Sequence, residues 1–200
     1  SMALNPALPG EEIEKEKQVI LEEIKMHKDL PQSYVYELLD ELLWPDQPLG
    51  EPIIGTVASV SRISRKDLVS FKDGFYTPSN IIISAAGALD FVKFTKSVKK
   101  IFSQAKEQNK NTFSRVKEKQ SAPQLKIFSK DTEQTHMALG FHGLAREHAL
   151  KHALGILHII LGANMSSRLF SELREKRGLA YDIGTQVKRL ADTGSFIRSE

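Results

Sequence analysis

Residues 166–185 (SSRLFSELREKRGLAYDIGT) restrict the fold of this chain more than any other segment. The first half has the pattern of a short amphipathic helix that carries Arg174, and Gly178 is placed to end it. A strand is predicted to start near Tyr181, so a helix–strand corner holds a guanidinium and a phenol at a fixed distance from each other. Both groups can donate hydrogen bonds to a carbonyl oxygen without reacting themselves. Spacing alone favours the interpretation that Arg174 is a surface arginine and Tyr181 an aromatic residue at the start of a strand. It also leaves Arg177 as an equal candidate for the functional cation.

The composition is that of an ordinary globular protein of 200 residues, with 40% hydrophobic and 26% charged residues. The chain has no cysteine, which excludes disulfides and thiolate metal sites but not histidine and carboxylate sites. A net charge of +3 is too small to favour nucleic acid as a partner. No apolar run has the length of a membrane span. The compartment stays open, with the cytoplasm favoured.

Hydrophobic periodicity and turn residues predict an α+β fold. Helices are predicted over residues 11–28, 32–43, 64–75, 90–104, 147–161 and 166–177. Strands are predicted over residues 80–86, 124–129, 134–142, 181–189 and 195–197. These elements alternate irregularly, which argues against a doubly wound parallel sheet. The polar, basic stretch at residues 105–123 predicts a linker, so we divide the chain into residues 1–106, a linker at 107–122, and residues 123–200.

The first predicted helix places two carboxylates on an apolar arc. At about 100° per residue, Glu16 and Glu23 lie on the same side as Val19, Ile20 and Ile24. A carboxylate there is costly unless a cation, a metal or several donors satisfy it. Two interpretations stay open: a metal ligand with a supporting carboxylate, or glutamates that pair with Arg or Lys across a domain seam or lie at a solvent-exposed edge. The helix by itself favours the second.

The histidines give no metal motif. His148 and His152 have the i, i+4 spacing that can bind zinc, but no glutamate stands at the spacing of a zincin motif. We interpret both as solvent-exposed. His158 lies among apolar residues and is predicted to be hydrogen-bonded and partly buried. The chain contains no HExxH, HxxEH or GxSxG pattern and no phosphate-binding loop.

Three segments, in this order, resemble the M16 metallopeptidases, the family of pitrilysin, insulinase and the mitochondrial processing peptidases. EIEKEKQVILEEI resembles the family helix that follows the zinc motif. PDQPLGEPIIG, with the later YTPSN before an apolar run, resembles the next family block. ILGANMSSRLFSELREKRGLAY resembles the second-domain signature. The bacterial processing-protease branch is the most similar. The resemblance implies the M16 metallohydrolase fold, an α+β fold with a mixed, largely antiparallel sheet and helices packed on it.

The resemblance also implies residue roles. Glu23 matches the distal zinc-ligand glutamate and Glu16 the acidic residue that supports the site. Arg174 and Tyr181 match the second-domain pair that holds the substrate carbonyl and its tetrahedral oxyanion. Residues 1–106 match the C-terminal half of the first, zinc-binding domain, and residues 123–200 the N-terminal half of the second.

The HxxEH motif of the family supplies two histidine ligands and the general-base glutamate, and it would lie several tens of residues before Glu23. We therefore expect an internal piece of a Zn²⁺-dependent endopeptidase that is inactive by itself and binds no zinc with the native site. The resemblance implies that the intact protein hydrolyses peptides or unfolded polypeptides as a homodimer, without nucleic acid or membrane partners. The alternatives are a non-catalytic M16-like subunit that binds peptides or builds a complex, and an unrelated basic α+β binding module. An exposed, unpaired Glu23 with a disordered Arg174 segment would favour the last.

Overall fold

The computed structural model describes residues 4–103 and 113–200. The chain divides into two compact units, one of Ser1–Glu22 with Thr56–Ser114 and one of Glu23–Gly55 with Arg115–Glu200. Residues 23–55 thus belong to the same unit as residues 115–200. The predicted boundary at residue 106 and the predicted end of a helix at Gln104 lie outside the described residues. The three-part division into domains stays a prediction.

The described elements are the α+β mixture that the sequence predicts. The helices are α1 (Gly10–Lys28), α2 (Pro31–Leu43), α3 (Val57–Arg62), α4 (Arg65–Phe75), α5 (Phe91–Phe102) and α6 (Lys151–Gly162), with a π-helical segment at Phe170–Glu175. Short 3₁₀ turns lie at Pro48–Gly50 and Pro78–Asn80. The strands are β1 (Ala138–His142), β2 (Gly184–Arg189) and β3 (Gly194–Ser199). None of these helices has both the length and the apolar composition that crossing a membrane requires.

Helices α3, α4 and α5 of the first unit begin at polar caps. Ser64 accepts a hydrogen bond from the backbone N–H of Asp67, and the Asp67 carboxylate accepts one from the backbone N–H of Ser64 at 2.8 Å. This reciprocal capping box satisfies two N–H groups that the first helical turn leaves unpaired. The hydroxyl and the backbone N–H of Ser64 hold the pKa of Asp67 below its ordinary value. Ser64 is the N-cap that the sequence predicts, whereas α3, which begins after a similar box at Thr56, has no counterpart among the predicted helices.

The second unit is built on a three-stranded antiparallel sheet in the order β1–β3–β2. The central strand β3 carries Ile197, which is completely buried. Helix α2 packs on this sheet, and Leu39, Leu43 and Trp44 form one apolar core with Ile197. The backbone of Gly50 packs directly against the backbone of Trp44. A Cβ atom at position 50 would lie only 2.2 Å from the Trp44 carbonyl oxygen. This core therefore joins α2 to the central strand β3, although the two are far apart in the sequence.

Two strand predictions are wrong. Residues 80–86 and 124–129 are not strands, and Ile82 and Leu125 are 95% and 83% exposed. β-Branched apolar runs form strands only where another segment supplies backbone partners. No described segment pairs with either run. The later predictions are closer, because the predicted strands at 134–142 and 195–197 overlap β1 and β3, which pair with each other.

Candidate functional site

Arg174 lies on a helix with a widened turn. Within the π-helical segment, the N–H of Lys176 donates to the carbonyl oxygen of Ser171, five residues earlier, at 3.0 Å. Such turns occur often at functional sites. Gly178 has φ +59° and donates its N–H to the Arg174 carbonyl at 3.1 Å. This is the left-handed termination that glycine favours, and it confirms the predicted helix end at Gly178.

The Arg174 guanidinium lies against two aromatic rings. Its central carbon is 4.7 Å from the ring centroid of Phe170 and 5.1 Å from that of Tyr181, both within cation–π range. Arg174 is half-buried, whereas Tyr181 is 83% exposed. In residues 4–103 and 113–200, neither the guanidinium nor the phenol hydroxyl has a hydrogen-bond partner. The structure therefore brings the two predicted residues together with their donors free, while their catalytic role stays a prediction.

Two details of the corner differ from the sequence prediction. Strand β2 begins at Gly184, so Tyr181 lies in the connection before it. The reason is that Gly184 pairs with Ser199, the last residue of β3, and no paired residue lies beyond. Phe170 was not predicted as part of the site. Its position four residues before Arg174, on the same helical face, is the signal that could have revealed it.

Glu16 and Glu23 both lie on α1, and both are exposed. Neither has a hydrogen-bond or ion-pair partner among the described residues. Ile24 is buried and Ile20 is half-buried, whereas Val19 is 50% exposed. The buried stripe is thus narrower than the apolar arc, and the expectation that the glutamates lie inside it is wrong. Their position agrees with the alternative of a solvent-exposed edge.

Glu16 also lines a cavity of about 380 Å³ within the first unit. The cavity lies between the chain before α1 and the helices α1, α3 and α4, and most of its walls are apolar, as at Ile20, Val60 and Leu68. Lys17 lines it as well and pairs with Glu14 at 2.8 Å. The volume is that of a small-ligand pocket. Glu16 therefore faces an apolar concavity instead of a flat helix surface.

The described residues do not by themselves fit a zinc site. Catalytic zinc usually takes three protein ligands, and Glu23 is the one ligand that the family resemblance assigns to this chain. The structure, over the part of the chain that it describes, contains no group of three or more His, Asp or Glu side chains that could hold a metal. Glu23 alone cannot fix the coordination geometry of a metal ion.

The histidine predictions are confirmed. His148 and His152 are exposed, and His148 Nδ1 accepts a hydrogen bond from the backbone N–H of Leu150 at 3.1 Å. His158 is half-buried on α6, and its Nδ1 lies 2.7 Å from the Thr185 hydroxyl on β2. These histidines therefore pack or face solvent, as the sequence predicts.

The α+β fold and the Arg174–Tyr181 corner are those expected of an M16-type peptidase domain. A family model described as "Peptidase M16 inactive domain" matches residues 62–198. The chain belongs to the M16 peptidase family. This membership excludes the unrelated basic binding module, and the Arg174 segment is a helix as the family signature predicts.

The relatives of this chain bear the names of zinc proteases. An uncharacterized zinc protease of Mycobacterium tuberculosis is 35% identical over 198 residues, which are 98% of this chain and 45% of that protein. One of Rickettsia felis is 37% identical over 193 residues, 96% of this chain and 46% of that protein. The chain spans less than half the length of these relatives.

Solved structures share the fold. A protease from Helicobacter pylori superposes with a TM-score of 0.83 at 26% identity, covering 96% of this chain and 48% of that one. A peptidase M16 inactive domain from Pseudomonas fluorescens superposes with a TM-score of 0.81 at 21% identity, covering 98% of this chain and 48% of that one. The second likeness shows the fold alone.

Proposed function

We propose that this chain is part of a longer zinc-dependent endopeptidase in which Arg174 and Tyr181 bind the carbonyl oxygen of the peptide bond to be cleaved. The observation that carries the proposal is the contact between Arg174 and Tyr181, whose side-chain donors have no hydrogen-bond partner among the described residues. Relatives named zinc proteases, about twice as long as this chain, support it.

The two side chains suit a carbonyl oxygen that gains negative charge. A guanidinium and a phenol offer N–H and O–H donors, and hydrogen bonds to an oxygen strengthen as charge develops on it. The cation–π contacts with Phe170 and Tyr181 hold Arg174 in place without neutralising its charge. An ion pair with a carboxylate would have consumed these donors. The corner is thus built to stabilise an oxyanion.

The corner cannot hydrolyse a peptide by itself. Residues 4–103 and 113–200 contain no group of three or more side chains that could hold a metal ion. The metal and the general base would come from parts of the longer protein outside this chain, with Glu23 as the ligand contributed here. The 200-residue chain alone is then inactive.

We extend the proposal to the partners. The substrate is a peptide or an unfolded polypeptide, and the longer protein acts as a homodimer, as the family resemblance implies. The net charge of +3 supports the absence of a nucleic acid partner. We propose no membrane partner.

The test uses a protein of the relatives' length that contains this chain. It should cleave an unstructured fluorogenic peptide, lose that activity to a chelator and regain it with stoichiometric zinc. The 200-residue chain should cleave nothing and retain no zinc after gel filtration. Zinc-dependent cleavage by the 200-residue chain would contradict the division of the site between this chain and other residues.

A non-catalytic M16-like subunit is the second candidate. Glu23 is exposed and belongs to no group of three or more metal-binding side chains in the described residues, which favours this candidate. The same experiment separates the two. A longer protein that binds the unstructured peptide but leaves it uncut when zinc is present would identify the subunit.

A further inference from the structure

The segment at residues 29–43, which comprises α2 and the turn before it, packs on the sheet of its own unit, the unit that carries the Arg174–Tyr181 corner. Its contacts reach both the sheet and the chain that precedes the sheet. They are Tyr36 with Ser199 at 2.7 Å, Asp29 with Lys130, Glu41 with Lys126 and Asp40 with Lys188, the three ion pairs each at 2.5 Å. Residues 29–41, which the sequence places in a first domain, are therefore joined to residues of the predicted second domain.

The Asp40–Lys188 pair differs from the other two ion pairs in what it joins. Lys126 and Lys130 lie in an extended segment without strand partners, whereas Lys188 lies on β2, paired with Ser195 of β3. The side chains of Asp40 and Lys188 are only 25% and 32% exposed. The second carboxylate oxygen of Asp40 is buried and has no hydrogen-bond partner among the described residues. A partly buried pair of this kind is screened less by solvent than a surface pair.

Strand β2 connects this pair to the corner. It begins three residues after Tyr181, and Lys188 is its fifth residue. On the other side of the pair, α2 follows α1 after two residues, and α1 carries Glu23. Beside the apolar core that packs α2 on the sheet, the Asp40–Lys188 pair thus links α2 to the strand that leads from the oxyanion-donor candidate.

We propose that Asp40 and Lys188 are positioning residues, whose ion pair holds the Arg174–Tyr181 corner at a fixed distance from α2 and from Glu23–Lys28, the part of α1 in the same unit. The catalytic consequence rests on the proposed function, whereas the geometric part concerns this chain alone. Donors to an oxyanion must be placed within a fraction of an ångström, and a displacement of about 1 Å can cost about 10²-fold in rate.

The geometric part is tested by spin-label distances. Because the chain has no cysteine, labels can be attached at Met26→Cys on α1 and Glu175→Cys beside Arg174, both exposed positions of the same compact unit. We expect one narrow distance distribution in the otherwise unaltered chain. Asp40→Asn should lose it, and the exchanged pair Asp40→Lys with Lys188→Asp should recover it. Glu41→Gln, one residue along the same helix, removes the pair with Lys126 and should leave the distribution narrow.

The catalytic part is tested in the longer protein. Asp40→Asn should lower kcat about 10- to 100-fold with little change in KM, because the oxyanion donors act in the transition state. The exchanged pair should restore kcat and Glu41→Gln should leave it unchanged. Circular dichroism gives the folded fraction of each variant, and a merely structural role would leave kcat per folded molecule unchanged in Asp40→Asn.

The outcomes separate the two proposals. An unchanged distance distribution in both Asp40→Asn and Lys188→Met overturns the positioning role, whatever the enzyme does. A longer protein without peptidase activity overturns the proposed function but leaves the distance measurement to decide the geometry. If Asp40→Asn does not fold, Lys188→Met and the exchanged pair decide in its place.

Discussion

At the scale of single residues, Arg174 shows how aromatic rings can hold a guanidinium in place without occupying its N–H groups. Two rings lie 4.7 and 5.1 Å from its central carbon, and no carboxylate pairs with it among the described residues. A salt bridge would fix the side chain as well, but would occupy the N–H groups that a ligand needs. The neighbouring Glu172 is instead paired with Lys176, at 2.5 Å.

The Glu172–Lys176 pair gives a pH-dependent prediction. The hydrogen bond from Lys176, and then its charge, lower the pKa of Glu172 below the ordinary glutamate value. A carboxylate whose pKa is lower in the folded state contributes stability that is complete above its unfolded pKa and is lost as the pH falls through the folded pKa. An NMR titration of the Glu172 carboxyl carbon should therefore give an acid-shifted midpoint, and Lys176→Met should move it back upward. Equal midpoints in both proteins would contradict the assignment.

How far residues could be predicted depends on what surrounds them. The family resemblance predicts Arg174 and Tyr181 as a pair, since one helix–strand corner carries both, and the structure places the guanidinium against the Tyr181 ring. For Glu16 and Glu23 the sequence leaves a solvent-exposed edge as one of several open interpretations, since a helical wheel gives direction but not the width of the surface that another element covers. The Asp40–Lys188 pair joins residues 148 positions apart, and no local pattern reveals it.

At the scale of elements, the sequence predicts a helix end correctly where capping or backbone geometry favours one residue type. Ser64 caps α4 and Gly178 ends the Arg174 helix. The strands at residues 80–86 and 124–129 failed because a strand is a property of two segments, and composition describes only one. The sheet was predicted where both partners lie within this chain, as for β1 and β3.

The left-handed backbone at Gly178 predicts a stability difference. A Cβ atom there would meet nothing within 4 Å, so Gly178→Ala should be destabilising through backbone strain alone, by about 1–2 kcal/mol. Gly74→Ala is the matched control, since its Cβ would also meet nothing within 4 Å but the residue lies inside α4. That variant should be neutral or more stable, by up to about 1 kcal/mol. Urea unfolding of the 200-residue chain measures both, and equal effects at the two positions would rule out the strain at Gly178.

At the scale of the whole molecule, segments that are far apart in the sequence share one compact unit. Residues 23–55 pack with residues 115–200, and the core of Leu39, Leu43, Trp44 and Ile197 is shared between them. This arrangement places Glu23 and the Arg174–Tyr181 corner in one compact unit. The match of residues 62–198 to the family model shows that this chain belongs to the M16 family. Peptidase activity is a property that we propose for the longer protein.

The central claim is that Arg174 binds an oxyanion during peptide hydrolysis, and the turnover of two arginine variants of the longer protein tests it most directly. Arg177 is the matched control, since it lies three residues away, is exposed, and has no ring contact among the described residues. We predict that Arg174→Ala lowers kcat by about 10²–10³-fold with little change in KM. Arg177→Ala should leave kcat within about twofold, as surface substitutions away from the site do. Equal losses in the two variants, or an unchanged kcat in Arg174→Ala, would contradict the account.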